Sequence, residues 1–168
     1  GYNWIWSPMV DLVSPYMSDI VRPFAGDADM LIKHGTAFVK GMQDANVAAC
    51  AKHFPGSDPL EYRDDHVTPS MLNMTFEEWE KTQGRVFQAM IDAGVYTFMT
   101  SAVSFPALDN RQKNGKYYPS SFSKAVITDL LKVKMGFDGV VITDDVNMGG
   151  YTSFFGPEDK YIELYNAG

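Results

Sequence analysis

Apolar positions along the chain change period several times, and each change marks an element. Tyr2–Trp6 is a short apolar and aromatic run and reads as a strand. From Asp27 onward Met30, Leu31, His34, Phe38 and Met42 recur at three- and four-residue spacing, which predicts a helix. Val47–Lys52 is a second apolar run. Thr75-Phe76-Glu77-Glu78 has the capping-box pattern, with Glu three places after the cap. The helix it opens carries Trp79, Val86, Phe87, Met90 and Ile91, and Gly94 is placed to end it. A third strand, Val95–Met99, follows directly. Ser123 is placed to cap a helix with Val126, Ile127, Leu130 and Leu131 on one face, ending before Gly136. Gly139–Thr143 reads as the last strand, and Pro157 suits the first turn of a helix running to about Asn166.

Strands alternating with helices predict parallel βαβ units in an α/β fold. A doubly wound sheet would carry a glycine fingerprint between its first strand and helix, and this chain has none. A (β/α)8 TIM barrel places its chemistry just after strand ends. That matches the polar residues here: Ser7 and Asp11, Lys52 and His53, Thr100 and Ser101, and Thr143 and Asp144 each follow a strand. A whole barrel needs about 250 residues, and this chain has 168. The expectation is therefore the central portion of a barrel, about four βα units in a single partial domain over residues 1–168. Taken alone, such an arc has open sheet edges and is expected to be inactive or poorly folded.

Composition narrows the function. Apolar residues make up 45% and charged residues 21%, the balance of a globular chain rather than a disordered one. No apolar run approaches the roughly 18–20 residues of a membrane span. The net charge is -7 and the basic residues are scattered, which argues against nucleic acid as a partner. The first residues carry no basic n-region of a signal peptide, and the compartment stays open. A single cysteine, Cys50, excludes an internal disulfide and a Cys-rich zinc site. In an apolar run it reads as a core residue, with a reactive thiol as the alternative. Aromatics at 14% suit a carbohydrate or other small-molecule cleft as well as a large core.

Two polar clusters could carry chemistry. In the first, Lys52 and His53 end a strand, Pro55 and Gly56 turn the chain, and Arg63-Asp64-Asp65-His66 follows. In an extended segment residues i and i+2 point the same way. Asp64 could then accept the His66 ring N–H and support its positive charge, half of a proton-transfer dyad. The same pattern also occurs as a surface pair. In the second cluster, Gly139–Thr143 runs into Asp144-Asp145 and then Gly149-Gly150. A deep carboxylate there could be a nucleophile, base or metal ligand, or simply a cap or turn. Arg22 could clamp a polar ligand or anchor a loop. His34 reads as a core or boundary residue.

Together these motifs resemble glycoside hydrolase family 3, in its β-N-acetylglucosaminidase-like branch. Ser7-Pro8-Met9-Val10-Asp11 resembles the family's Ala-Pro-x-x-Asp, and Arg22-Pro23-Phe24-Ala25-Gly26-Asp27 its Arg-x-Phe-Gly-x-Asp. Lys52-His53-Phe54-Pro55-Gly56 reproduces a family motif, Asp64-Asp65-His66 fits Asp-x-His, and Gly136–Asp145 resembles the strand ending in the nucleophile. The resemblance implies a retaining hydrolase of terminal β-linked N-acetylglucosamine or a related β-sugar. Asp144 would form the glycosyl-enzyme, His66 would be acid then base, and Asp64 its partner. Lys52, His53 and Arg22 would bind sugar hydroxyls. The partner would be a carbohydrate, with no cofactor and no metal. A neutral histidine base repels anions less than a carboxylate does, so phosphate stands open as an acceptor beside water. The sequence departs from the family pattern at Ser57 and Ala102, where His is common, and at Asp65, where Ser is common. These changes are expected to lie around the sugar.

Three other readings remain. A β-glucosidase of the same family would keep its acid/base elsewhere and would not need the Asp64-x-His66 pair. A metal-dependent hydrolase on His53, Asp64, His66 and Asp144 would ordinarily draw on more than the three histidines present. A degenerate sugar-binding barrel would bind without turnover.

Overall fold

The computed structural model describes residues 1–12 and 22–168. Its frame is a four-stranded parallel sheet in the order β1 (Trp4–Ile5), β2 (Ala48–Phe54), β3 (Thr97–Thr100), β6 (Val140–Thr143). Neighbours in the sheet are successive βαβ strands, the arrangement of an arc of a TIM-type barrel. A small antiparallel hairpin, β4 (Gln112–Lys113) and β5 (Lys116–Tyr117), lies within the loop after β3.

The helices between the strands follow the apolar pattern closely. The first, α1 (Ala28–Asp44), is capped by Asp27, whose carboxylate accepts the Met30 N–H at 2.9 Å. In the second crossover α2 (Phe76–Trp79) passes through a π-turn, Glu80–Gly84, into α3 (Arg85–Asp92). The capping box forms as expected: Thr75 Oγ1 accepts the Glu78 N–H at 3.2 Å, and Glu78 accepts the Thr75 N–H at 2.8 Å. Such a cap is worth about 1 kcal/mol. Ala125–Lys134 is wound as a π-helix, with Ser123 Oγ accepting the Val126 N–H at 3.3 Å. A single turn, α4 (Gly149–Thr152), and α5 (Asp159–Ala167) complete the chain.

Strand limits differ from the periodic reading by a few residues. The first strand is shorter, yet its backbone bonds run on: Cys50 N–H donates to Ser7 C=O at 2.8 Å, and Val10 N–H to Lys52 C=O at 2.7 Å. Asp11 is thereby carried alongside the end of β2. The strand β2 itself continues through His53 to Phe54. The hairpin and α4 escape the periodic reading because each is too short to show a period.

The core lies between sheet and helices. Phe54, Trp79, Phe87 and Phe98 are fully or almost fully buried, with Phe54 and Phe87 meeting edge-to-face at 5.2 Å. Each contributes roughly 1.5–3 kcal/mol by leaving water. Cys50 belongs to this interior, and burial pushes its thiol up to about 11, the state of an inert core residue. His34 is the exception to its sequence reading. It faces solvent on α1 with its ring 6.0 Å from that of Phe24, because the buried stripe of α1 runs through Leu31, Gly35 and Val39 instead.

Candidate active site

All four strand ends contribute to one cleft, and the long loop after β2 forms its other side. Its walls include Asp11, His53, Asp64, Asp65, His66 and Asp144, around a cavity of about 80 Å³ that opens to solvent.

One wall is built from strand ends. Asp11, after β1, is buried and accepts the His53 backbone N–H at 3.1 Å. The same oxygen lies 2.8 Å from the His53 ring Nδ1. The other ring nitrogen, Nε2, stands 3.4 Å from Asp144 Oδ2. His53 therefore sits between two carboxylates, hydrogen-bonded to Asp11 and within 3.4 Å of Asp144. Asp144 follows β6 directly, its N–H donating to Thr100 C=O at 3.1 Å and continuing the ladder. Its neighbour Asp145 turns away and accepts both the backbone and side-chain N–H of Asn147. Adjacent carboxylates thus receive different tasks from the strand's alternation.

The opposite wall is a loop. Asp64 Oδ1 accepts the His66 backbone N–H at 2.9 Å and lies 2.7 Å from the His66 ring Nδ1. The pair does not lie on the extended segment expected from the sequence. Val67 and Thr68 N–H both donate to Asp64 C=O, so the segment is a tight turn. The pair meets because an Asp side chain bonds the backbone two residues on. Asp65 sits on the inner side, with Oδ1 3.5 Å from His66 Nδ1 and Oδ2 accepting from Ser101 Oγ at 3.4 Å.

These positions set the proton affinities. Burial raises the Asp64 carboxyl, but its bonds from the His66 backbone and ring outweigh that, and the net shift is downward. Burial lowers His66, yet the Asp64 hydrogen bond and the charges of Asp65, Asp64 and Asp144 carry it above the ordinary imidazole value. For Asp65 burial dominates and the carboxyl is raised. The ligand atoms of Asp64, Asp65 and His66 lie within 4.8 Å of one another, so this triplet is spaced to hold a metal ion; the same atoms are already engaged with one another.

The loop is anchored to the segment that follows Asp144. Gly149 N–H donates to His66 C=O at 2.7 Å and Gly150 N–H to Asp65 C=O at 3.0 Å. A Cβ on Gly149 would lie 2.0 Å from Val67 O, and one on Gly150 2.7 Å from Ala102 Cβ. Bare glycine is what lets the two segments touch. The start of the loop is secured elsewhere: Asp58 accepts the N–H of Leu60 and Asn73 at 2.7 and 2.6 Å. Gln83 donates to Ser57 C=O at 2.7 Å.

Asp64, His66, His53 and Asp144 are thus brought together. Lys52 and Arg22 are not among the residues lining the cleft. Lys52 is half-buried, and burial first, then the positive charge of Arg22, lowers its ammonium's proton affinity. Ser57 and Asp65 do line the cleft, but Ala102 does not. It is buried beneath Gly150 in a cluster with Phe122, Met148, Tyr151 and Phe154, so that departure from the family pattern lies in packing. Asp11 was the residue sequence reasoning underrated. Its signals were its place after the first strand and its place as the Asp of the Ala-Pro-x-x-Asp resemblance, and neither tied it to His53.

A parallel α/β barrel arc with a carboxylate and an imidazole at its strand-end mouth defines a class of barrel with an enzyme-like cleft. The chain belongs to glycoside hydrolase family 3: the model of the glycosyl hydrolase family 3 N-terminal domain matches residues 1–168. It is 35% identical over 159 residues to a β-N-acetylglucosaminidase/β-glucosidase of Cellulomonas fimi, covering 91% of this chain and 28% of that one. A solved family 3 β-N-acetylglucosaminidase from Paenibacillus sp. superposes with a TM-score of 0.89 at 32% identity, covering 99% of this chain and 31% of that one. A solved β-glucoside phosphorylase superposes with a TM-score of 0.82 at 28% identity, covering 98% and 34%. The chain thus spans about a third or less of each of these proteins' lengths.

Proposed function

We propose that the protein is a retaining glycoside hydrolase acting on terminal β-linked N-acetylglucosamine or a related β-sugar. The observation that carries this is the sharing of one cleft by Asp144 on a strand end and His66 on a loop. Asp144 attacks the anomeric carbon while protonated His66 gives its proton to the departing glycosidic oxygen. Water then attacks the glycosyl-enzyme, His66 takes a proton back, and the C–O bond to Asp144 breaks. Most retaining glycosidases use two carboxylates for these steps. Here an imidazole supported by Asp64 does the proton transfers, which needs a group titrating near neutral pH.

His53 fits a binding role: Asp11 fixes the ring through Nδ1, which leaves Nε2 beside Asp144 to meet a sugar hydroxyl. Lys52 and Arg22 are proposed to reach sugar hydroxyls only as the cleft fills. The name of the Cellulomonas fimi relative includes both N-acetylglucosaminidase and glucosidase, which supports leaving glucose as a second sugar. The test is nitrophenol release from aryl β-N-acetylglucosaminide and β-glucoside by the full-length protein. Asp144→Ala is expected to lower kcat about a thousand-fold or more. Unaltered turnover in that variant would remove Asp144 from the mechanism.

A further inference from the structure

We propose that the hydroxyl of Tyr151 is a positioning group for the reaction: it fixes the turn α4 to the end of β3, and through α4 it sets where His66 stands across the cleft from Asp144. The inference rests on the hydrolase reading above and adds to it a residue that touches neither the sugar nor the reacting atoms.

Tyr151 is fully buried in a cluster with Ala102, Phe122, Met148 and Phe154, its ring 5.3 Å from that of Phe122. A phenylalanine would fill that space, so packing does not call for the oxygen, and a buried hydroxyl is costly unless it is bonded. Here it is bonded: Tyr151 Oη lies 2.7 Å from Ser121 Oγ. Ser121 Oγ also lies 2.6 Å from Thr100 Oγ1 and donates to Ser101 C=O at 2.9 Å. Ser121 has one hydroxyl proton and gives it to Ser101, so the Tyr151 O–H is the donor to Ser121. Burial pushes the phenol up, the Ser121 bond opposes this, and the charges of Asp144 and Asp65 add to the rise, so the group remains a donor.

Thr100 is the fixed side of this chain of bonds. It is paired on both sides, with Phe54 of β2 and Thr143 of β6, and its C=O accepts the Asp144 N–H at 3.1 Å. The movable side is α4, a single turn of four residues. Its backbone N–H groups bond within the turn, to Met148 C=O, or to the loop, Gly149 to His66 and Gly150 to Asp65. Buried Lys160 donates to Val146 C=O at 3.0 Å, which ties the approach to α4 to α5 rather than to the sheet. Among the described residues, the Tyr151 hydroxyl is therefore the hydrogen bond that links α4 to the end of β3. Apolar contact sets a distance but no direction, whereas a satisfied buried network fixes both. Without the hydroxyl α4 can tilt on its packed ring, and the loop hung from Gly149 and Gly150 tilts with it. Asp64, Asp65 and His66 travel together, so the imidazole keeps its partners and loses its distance to the leaving oxygen. Asp144 stays with the sheet.

The experiment measures kcat/KM of the full-length protein on an alkyl and an aryl β-glycoside, with melting temperature, for wild type, Tyr151→Phe and Ser121→Ala. The alkyl leaving group needs the His66 proton, and a displacement near 1 Å can cost about 10²-fold, so Tyr151→Phe should lose about tenfold on the alkyl glycoside and about twofold on the aryl one. Ser121→Ala should repeat the pattern. In Gly149→Ala, where the loop is already displaced, adding Tyr151→Phe should cost about twofold on the alkyl glycoside rather than tenfold, because contacts acting on one segment are not additive. A merely structural role would lower melting temperature and both rates in proportion, leaving the alkyl-to-aryl ratio alone. The proposal is overturned if that ratio is unmoved in both Tyr151→Phe and Ser121→Ala, or if the losses of Tyr151→Phe and Gly149→Ala multiply in full. If wild type turns over neither glycoside, the hydrolase reading fails and this inference falls with it. If wild type turns over both, an unmoved ratio counts against Tyr151 alone.

Discussion

Two imidazoles face the same cleft on opposite kinds of support. His53 ends a strand, its side chain only 16% exposed, with one ring nitrogen on buried Asp11 and the other 3.4 Å from Asp144. His66 rides on a surface turn, its side chain 52% exposed, with Nδ1 held by Asp64. Among the described residues nothing holds the Nε2 of His66. A ring bonded to a buried carboxylate and facing a second one across 3.4 Å is placed to bind and orient rather than to protonate a leaving group. A ring held at one end keeps its tautomer and leaves the other nitrogen for substrate. The rigid strand end therefore suits recognition, and the loop suits proton transfer.

The strongest way to break this comparison is to remove each ring. His66→Ala is expected to lower kcat/KM by roughly 10²–10⁴-fold on substrates with poor leaving groups, and far less on nitrophenyl glycosides, whose leaving group needs little protonation. His53→Ala should lower kcat/KM for both substrates alike, because it disturbs binding and Asp144 whatever the leaving group. Steady-state kinetics on an aryl and an alkyl glycoside separates the two. Near-normal rates for His66→Ala on both would point to an acid/base elsewhere, as in the β-glucosidase reading.

A smaller effect should come from the contact that joins the two supports. Gly149→Ala would set a methyl 2.0 Å from Val67 O. The turn bearing His66 must lift away, while β2, β3 and β6 are untouched. A displacement near 1 Å can cost about 10²-fold in rate, so kcat should fall by about 10- to 100-fold with little change in melting temperature. The drop should be confined to the loop's work: binding of a non-hydrolysed sugar analogue, which depends on the His53 wall, should change little. Equal losses in binding would mean that the walls are not independent.

The two supports were not equally readable from sequence. The strand-end wall was legible because strand and helix periods are local: runs such as Val47–Lys52 and Gly139–Thr143 declare themselves, and the residue after each, His53 or Asp144, lines the cleft. Asp11 was harder, since only the parallel register of β1 on β2 carries it to His53, and register is a property of two segments. The loop wall was legible as a motif but not as a shape. Asp64 and His66 meet through a turn rather than through extended alternation, and the sequence holds no periodic signal for a turn. The contact of Gly149 and Gly150 with Asp65 and His66 joins residues more than eighty positions apart, and a glycine pair looks the same whether it ends a strand or receives a loop. Ala102 shows the reverse case, a departure expected at the sugar that the structure places in a buried cluster.

The finest test of the comparison is the pH dependence of kcat/KM, which follows the proton on the loop ring. Transfer to the leaving group needs His66 protonated. Its pKa is raised, against the opposing effect of burial, by the Asp64 hydrogen bond and by the charges of Asp65, Asp64 and Asp144. A raised pKa keeps the imidazolium populated to higher pH, so kcat/KM should hold through the range where an ordinary imidazole, near 6.5, would already have lost its proton. It should fall only as pH climbs through the raised value. Asp64→Asn removes the stronger support and should move that alkaline limb to lower pH; Asp65→Asn should move it the same way by less, since Asp65 acts by charge at 3.5 Å rather than by a 2.7 Å hydrogen bond. His53→Ala should leave the limb where it is, because its ring does not carry the transferred proton. A limb that tracks His53 instead would exchange the roles of the two walls.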